Sequence, residues 1–273
     1  WSDAVARQLE PTTRRDEHVA AFKANSELRE YFDEIIEQRR AEPRDDLISA
    51  LIAAEEEGDK LTREEMVSTL VLLLVAGNET TTNLIGNGLL ALLRHPDQLE
   101  RLRDNPELME NAVEEMLRYD SPVQTDGRTA IEDVEIGGRK IAAGEQVILL
   151  LGAANHDPAV FETPGRLDLG RDAREHVSFA RGNYYCLGSP LARAEGQIAF
   201  DRLLERYSEM RLAAEPEFKD HIVLRGMTHL GSMSTVAARM ARARLPPKRH
   251  RSRRRPRPSR LPAGAAPQQP RAP

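Results

Sequence analysis

The chain has 273 residues, a formal net charge of -5 and 40% hydrophobic residues, a composition that favours a globular protein over a disordered one. Its single cysteine excludes a disulfide within the chain and favours a reducing compartment, so we expect a cytoplasmic protein. The longest apolar run, residues 70–76, is too short to cross a bilayer, and no secretory signal segment opens the sequence, so we expect no membrane contact.

The first half of the sequence has the apolar spacing of helices. The longest predicted helix opens at the capping box Thr62-Arg-Glu-Glu65 and runs to about residue 93. Its residues 70–75 are apolar almost all round, so we expect that segment to lie in the core. The other helices predicted in this half span residues 17–40, 46–57, a stretch from 96, and 108–119.

After Ser121-Pro122 the pattern changes to that of short strands separated by glycine-containing turns. The predicted strands span residues 123–130, 134–136, 139–141 and 146–151, with a terminal strand pair inside 209–236. Residues 157–179 form a long stretch without a clear period, and loops of that length are usually functional. Ser189-Pro190 opens a further helix to about residue 207. The predicted fold class is therefore mainly α with small β-sheets.

The charge divides the chain into two parts. Residues 239–273 contain no Asp or Glu and are rich in arginine and proline. Such a tail cannot build a core, so we expect one folded domain over 1–238 followed by a disordered tail. A basic arm can bind nucleic acid, but a solvated appendage or a reading-frame artefact is the simpler explanation. Nucleic acid is therefore not the expected partner.

The lone cysteine lies in Phe179-Ala-Arg-Gly-Asn-Tyr-Tyr-Cys186-Leu-Gly, just before the helix that opens at Ser189-Pro190. Amides at a helix N-terminus favour negative charge and would help Cys186 to stay ionised as a thiolate. Gly182 and Gly188 allow the backbone to approach a flat ligand closely. The alternative is a buried structural cysteine, which is the usual state of a single Cys.

This stretch resembles the haem-binding loop of the cytochrome P-450 family, Phe-Gly-x-Gly-x-His/Arg-x-Cys-x-Gly. The resemblance implies that Cys186 is the thiolate ligand of the iron in haem b, iron protoporphyrin IX. It also implies that neighbouring loop residues contact the cofactor; these are Phe179, Gly182, Tyr184, Leu187 and Gly188.

Two positions of the loop depart from the family pattern. Ala180 stands where the family has a glycine, and Tyr184 stands where it has the His or Arg that contacts a haem propionate. A tyrosine can donate a hydrogen bond but brings no positive charge, so weaker haem retention is expected. The resemblance further implies that Arg128 pairs with a propionate and that residues 123–127 line the substrate pocket.

A second match is Ala76-Gly-Asn-Glu-Thr80, inside the long helix. The resemblance implies that this segment crosses the haem face opposite the thiolate, with Ala76 and Gly77 beside the cofactor and room for dioxygen at Gly77. It implies that Thr80 and Glu79 serve oxygen activation, with Glu79 supplying protons. The alternative is a polar break in an amphipathic helix, with Thr80 bonded to a backbone carbonyl.

A third match is Glu115-Met-Leu-Arg118, which places a carboxylate and a guanidinium on one helix face. The resemblance implies a structural triad that fixes the loop before the cysteine, and Arg166 in Pro164-Gly-Arg166 lies at the place expected for the third member.

These motifs follow one another in the family's order, and the resemblance covers about residues 22–225, with the phrasing of a bacterial soluble member. It implies the C-terminal portion of a cytochrome P-450 fold, with the N-terminal portion missing. The implied activity is insertion of one oxygen atom from O2 into a small organic substrate by a monomer, with electrons from a ferredoxin and a ferredoxin reductase.

Three alternatives remain open from the sequence. The first is an inactive truncated remnant that binds haem poorly or not at all. The second is a basic-tailed nucleic-acid binder that keeps the old fold. The third is a peroxide-driven haem enzyme, which would not require the pair formed by Glu79 and Thr80.

Overall fold

Helices form most of the first half of the chain in the computed structural model, which describes residues 1–56 and 61–236. Each helix predicted there is present, and a short one at the start of the chain was not predicted. The helices are α1 (Ser2–Ala6), α2 (Arg15–Ala41), α3 (Leu47–Glu56), α4 (Arg63–Arg94), α5 (Pro96–Asp104) and α6 (Met109–Tyr119). The predicted tail over 239–273 lies outside the described residues and stays a prediction.

The long helix α4 begins where its capping box predicts. The hydroxyl of Thr62 accepts a hydrogen bond from the backbone N–H of Glu65, and the carboxylate of Glu65 accepts one from the backbone N–H of Thr62. These two bonds satisfy amides that the first turn of a helix leaves without partners. The helix ends before Pro96, which opens α5.

One expectation for α4 is wrong. We expected residues 70–75 to lie in the core on all sides, but Leu72 is 64% exposed, and Leu73 and Leu74 are also exposed. The reason is that the described helices pack on one side of α4 only, where Leu70 and Val71 are buried. An apolar face of α4 therefore stays open in this structure.

After α6, the described residues up to 236 form four two-stranded antiparallel sheets and two further α-helices. The predicted strand over 146–151 ends earlier, at Leu149, because the chain turns there into a short helix. The strands are β1 (Asp126–Thr129) paired with β4 (Gln146–Leu149), β2 (Val134–Ile136) with β3 (Arg139–Ile141), β5 (Tyr207–Leu212) with β8 (Ser232–Val236), and β6 (Glu217–Phe218) with β7 (Met227–His229). The helices are α7 (Leu151–Ala154) and α8 (Ser189–Arg206).

Helices α4 and α8 pack in parallel through two glycines. A Cβ atom on Gly88 would lie 2.7 Å from the ring of Phe200, and one on Gly196 would lie 3.3 Å from Leu84. Contacts of residue 84 with 196 and of 88 with 200 mean that both helices run in the same direction. The chain segments just before these contacts, around residues 76–80 and 186–191, therefore lie at the same end of the helix pair.

Two hydrophobic clusters meet on α4. One joins its C-terminal half to α5, α6 and α8, and the other joins its N-terminal half to α1, α2 and α3. No helix within residues 1–56 and 61–236 is both long and apolar enough to cross a bilayer.

Candidate functional site

Cys186 is exposed and lies in a loop whose backbone is held at both sides of the cysteine. Its N–H donates to the carbonyl of Phe179 at 2.9 Å, and its own carbonyl accepts from the N–H of Ser189 at 3.2 Å, at the start of α8. The alternative of a buried structural cysteine does not fit this exposure. The structure presents a thiol on a fixed loop.

The loop turns through two residues with positive φ, Ala180 at 56° and Gly182 at 65°. Glycine adopts this conformation freely, whereas a residue with a Cβ atom is strained in it. The glycine that the family pattern has at position 180 would relieve this strain. Ala180 adopts the same turn at a cost in free energy.

The residues around the thiol leave an exposed apolar surface on two elements. On the loop and the start of α8, Leu187 is 87% exposed and Leu191 is also exposed. On α4, Ala76 and Gly77 are exposed, and a Cβ atom on Gly77 would meet no atom within 4 Å apart from its chain neighbours and the nearby backbone of its own helix. Because both groups lie at the same end of the parallel pair of α4 and α8, they border one region.

Strand β1 reaches the cysteine loop through a stacked pair. The guanidinium of Arg128 lies 4.1 Å from the ring centre of Tyr184, and Arg128 also forms an ion pair with Asp126 at 2.7 Å. Tyr184 is exposed, and so is Ile148 on the neighbouring strand β4. The stacked pair of Arg128 and Tyr184 places a cation and a phenol hydroxyl at the thiol-bearing loop.

On α4, the hydroxyl of Thr80 donates to the carbonyl of Ala76 at 2.6 Å, the contact expected from a simple polar break in the helix. Glu79 is buried and its carboxylate accepts from the ammonium group of Lys219 at 2.6 Å. Burial lowers the pKa of Lys219, but hydrogen bonds to Asp3 and Glu79 outweigh that effect and raise it above its ordinary value. Glu79 is therefore held by a cation from the strand region after α8.

The structure brings Glu115 and Arg118 together in a fully buried, two-point ion pair of 2.7 and 2.9 Å. Arg118 also donates to the backbone carbonyls of Asn155 and Pro164. It thereby ties α6 to the loop that precedes the cysteine.

The predicted third member of this triad is wrong. The side chain of Arg166 is exposed, and among the described residues Arg166 joins this cluster through its backbone carbonyl, which accepts from Arg118 and Arg171. The third arginine is Arg171, whose Nε lies 3.3 Å from the Glu115 carboxylate. The loop between α7 and α8 has no regular period, so counting along it could not separate two arginines five residues apart.

A second polar cluster behind the loop was not predicted from the sequence. Glu114 accepts hydrogen bonds from the ring of His176 at 2.9 Å and from Arg193 at 2.5 and 2.9 Å. Burial raises the pKa of Glu114, but those bonds outweigh it and bring the pKa to about 2. We call these three residues the proximal clamp. Nothing in the sequence indicates which partners bind Glu114 and which bind its neighbour Glu115.

The residues at this site suit an iron porphyrin. A thiolate is a ligand for haem iron, the exposed leucines match an apolar macrocycle, and Arg128 with Tyr184 can bind its carboxylates. No group of three or more His, Cys, Asp or Glu residues able to hold a bare metal ion occurs in the described part of the chain.

Comparisons with known proteins agree with this geometry. A family model described as Cytochrome P-450 matches residues 10–223. A biotin biosynthesis cytochrome P-450 from Bacillus subtilis (strain 168) is 46% identical over 217 residues, which cover 78% of this chain and 54% of the relative. A vitamin D(3) 25-hydroxylase from Pseudonocardia autotrophica is 46% identical over 235 residues, which cover 84% and 57%.

Solved structures show the same fold. The crystal structure of P450BioI in complex with an acyl carrier protein ligated to hexadec-9Z-enoic acid has a TM-score of 0.82 at 43% identity, covering 86% of this chain and 60% of that one. The chain spans about half the length of the curated relatives it matches.

Proposed function

The chain belongs to the cytochrome P-450 family, and from that premise we propose that it supplies the haem-binding and oxygen-activating part of a haem-thiolate monooxygenase. One observation carries the proposal: an exposed cysteine thiol, fixed by backbone bonds on both sides, lies at the same end of α4 and α8 as Thr80. The reaction consumes O2, two electrons and two protons, and yields a hydroxylated substrate and water.

Cys186 would hold the haem iron through its sulfur, and Arg128 with the hydroxyl of Tyr184 would hold the carboxylates. The apolar faces of the macrocycle would lie against Ala76 and Gly77 on one side and Leu187 on the other. Three more residues would contact the cofactor without a polar side-chain group; they are Phe179, Gly182 and Gly188.

Haem bound here supplies a centre that accepts electrons and activates O2, a reactivity that a thiolate ligand strengthens. The chain would contribute the protons. The hydroxyl of Thr80 donates a hydrogen bond to the carbonyl of Ala76. Both lone pairs of the hydroxyl oxygen therefore stay free to accept hydrogen bonds from water. Glu79 would pass protons toward it after leaving the ammonium group of Lys219.

Glu115, Arg118 and Arg171 would act away from the reaction. They hold the loop that presents the thiolate, because Glu115 accepts the backbone N–H of Asp168 while Arg118 binds three carbonyls of the same loop.

The proposed substrate is a small organic molecule, and the proposed electron donors are a ferredoxin and its reductase, with the enzyme acting as a cytoplasmic monomer. Family membership and bacterial relatives support these proposals. The names of those relatives refer to biotin biosynthesis and to vitamin D(3), so relatedness alone does not select one substrate.

The decisive experiment is the reduced carbon monoxide spectrum of the 273-residue chain loaded with haem, with Cys186→Ser as the matched control. A strongly red-shifted Soret band in the parent chain, absent in C186S, is the expected result. Because Cys186 is exposed, the substitution should leave the fold intact, which circular dichroism checks. Haem uptake without that band, or no uptake, would contradict the proposal and favour an inactive remnant.

A further inference from the structure

The proximal clamp formed by Glu114, His176 and Arg193 has no part in the proposed chemistry, yet it contacts the chain on both sides of Cys186. We propose that Glu114 is a positioning residue that fixes the cysteine loop in a single geometry by holding His176 before the loop and Arg193 after it. This inference rests on the proposed function of Cys186 as the haem ligand.

On the side before the loop, hydrogen bonding fixes the state of His176. Its Nδ1 accepts the backbone N–H of Ser178 at 3.1 Å, so that nitrogen carries no proton. The proton of the neutral ring must then lie on Nε2, which donates to Glu114 at 2.9 Å. The side chain of His176 is 2% exposed, so this bond is shielded from water.

On the side after the loop, Arg193 makes a two-point contact with Glu114 and reaches back to the loop. Its Nη1 donates to the hydroxyl of Tyr185 at 3.0 Å, and its guanidinium lies 4.6 Å from the ring centre of Phe179. A planar guanidinium can serve all these contacts at once, whereas a lysine ammonium cannot.

His176 and Arg193 both contact Phe179. The ring of Phe179 lies between His176 and Tyr185, at 5.8 and 6.4 Å between ring centres, and its carbonyl accepts the N–H of Cys186. Glu114 therefore acts, through two partners, on the residue that fixes the backbone of Cys186. Replacing a largely buried ion pair by well-packed apolar residues can leave stability unchanged, whereas the pair itself can enforce one arrangement of the groups that it joins.

The first test uses the chain without haem and measures hydrogen exchange at the amide of Cys186. Glu114→Gln keeps the shape of the side chain but loses the charge that receives Arg193, and we expect exchange at that amide to accelerate about tenfold or more. Glu110→Gln, an exposed glutamate on the same helix, should leave it unchanged. Leu28→Ala, in the other hydrophobic cluster, controls for lost stability.

An increase confined to residues 176–189 in E114Q supports the clamp. The proposal is overturned if the exchange rate in these residues does not increase in E114Q. It is also overturned if L28A, compared at an equal loss of free energy of unfolding, shows the same increase there. Arg193→Lys gives a milder second variant: it keeps the charge and should still accelerate exchange, because the two-point contact is lost. Exchange in R193K equal to that of the parent chain would also overturn the proposal.

The second test uses the haem-loaded chain and measures the fraction of the reduced carbon monoxide complex that has the thiolate band. E114Q and R193K should each lower that fraction severalfold while total bound haem changes little, and E110Q should not. A parent chain without the band would contradict the proposed function, while hydrogen exchange would still decide the clamp. Equal fractions in all variants would overturn the positioning role.

Discussion

The cysteine-bearing side of the site and the α4 side differ in how their polar groups are held. Glu114, Glu115 and Arg118 are buried, and they belong to a cluster with bonds to segments 37 to 79 residues away. On α4, Thr80 bonds to a carbonyl one turn away in its own helix, and Glu79 has a single described partner, Lys219. The cysteine-bearing side is thus held by several bonds to distant segments, and the α4 side by one bond within the helix and one ion pair to Lys219.

The two sides should therefore respond differently to mutation. Substitutions behind the cysteine should cost stability and loop geometry together. Substitution of Thr80 on α4, which bonds within its own helix, should cost little stability; in the proposed function it should change proton supply.

Arg118→Leu should cause the largest loss, about 3–5 kcal/mol, because it removes one partner of a fully buried ion pair and leaves carbonyls unsatisfied. Urea unfolding measures this. The control is Arg202→Gln, which removes an exposed pair with Glu205 and should cost about 0.5 kcal/mol or less. Equal losses in the two variants would show that the buried pair of Glu115 and Arg118 contributes no more to stability than an exposed one.

The acid limb of stability should depend on Glu114. Its folded pKa is about 2 against an ordinary 4.5, so its stabilising effect is complete above 4.5 and is lost as the pH falls toward 2. The loss amounts to up to about 3 kcal/mol. Free energies of unfolding measured across this range should fall less steeply in E114Q than in the parent chain. Parallel curves would show that Glu114 is not the group responsible.

Lys219→Met should cost about 2 kcal/mol, because Glu79 would stay buried without its cation. Chemical unfolding gives the value, and Lys23→Met removes an exposed pair with Glu27 as the control, at about 0.3 kcal/mol. A loss in K219M as small as in K23M would show that the α4 side does not depend on this ion pair.

Ala180→Gly should raise stability by about 1 kcal/mol, since it removes the strain of a positive φ at a residue with a Cβ atom. Thermal unfolding measures the gain. Ala143→Gly is the same substitution at a residue without positive φ and should lower stability slightly. A loss at both positions would mean that the cysteine loop is not strained at Ala180.

Thr80→Ala should give the smallest change, about 0.5 kcal/mol or less, because the hydroxyl bonds only within its own helix. It should keep the thiolate band and reduce the share of electrons that reach product, measured as product formed per reduced cofactor consumed. Unchanged coupling would exclude the proposed role of Thr80.

The sequence predicts the elements well where a local signal exists. The capping box at Thr62 and Glu65 marks the start of α4, and Ser189-Pro190 marks the start of α8. Residues that act through tertiary contact are less predictable. Nothing local separates Arg171 from Arg166 as the partner of Glu115, or shows that Leu72 lies exposed on an apolar helix. Such choices depend on which segments meet in space.

The glycine contacts between α4 and α8 have a consequence for engineering this site. Gly88 and Gly196 set how closely the two helices approach, and the candidate cofactor region lies beyond them along both axes. The two helices contact each other at those glycines, so a methyl group added at position 88 or 196 would push them apart. We expect the separation of the two helices to increase toward the end that carries Thr80 and Cys186. Substitutions at these two glycines would thus change the distance between Thr80 and Cys186 without contacting either residue.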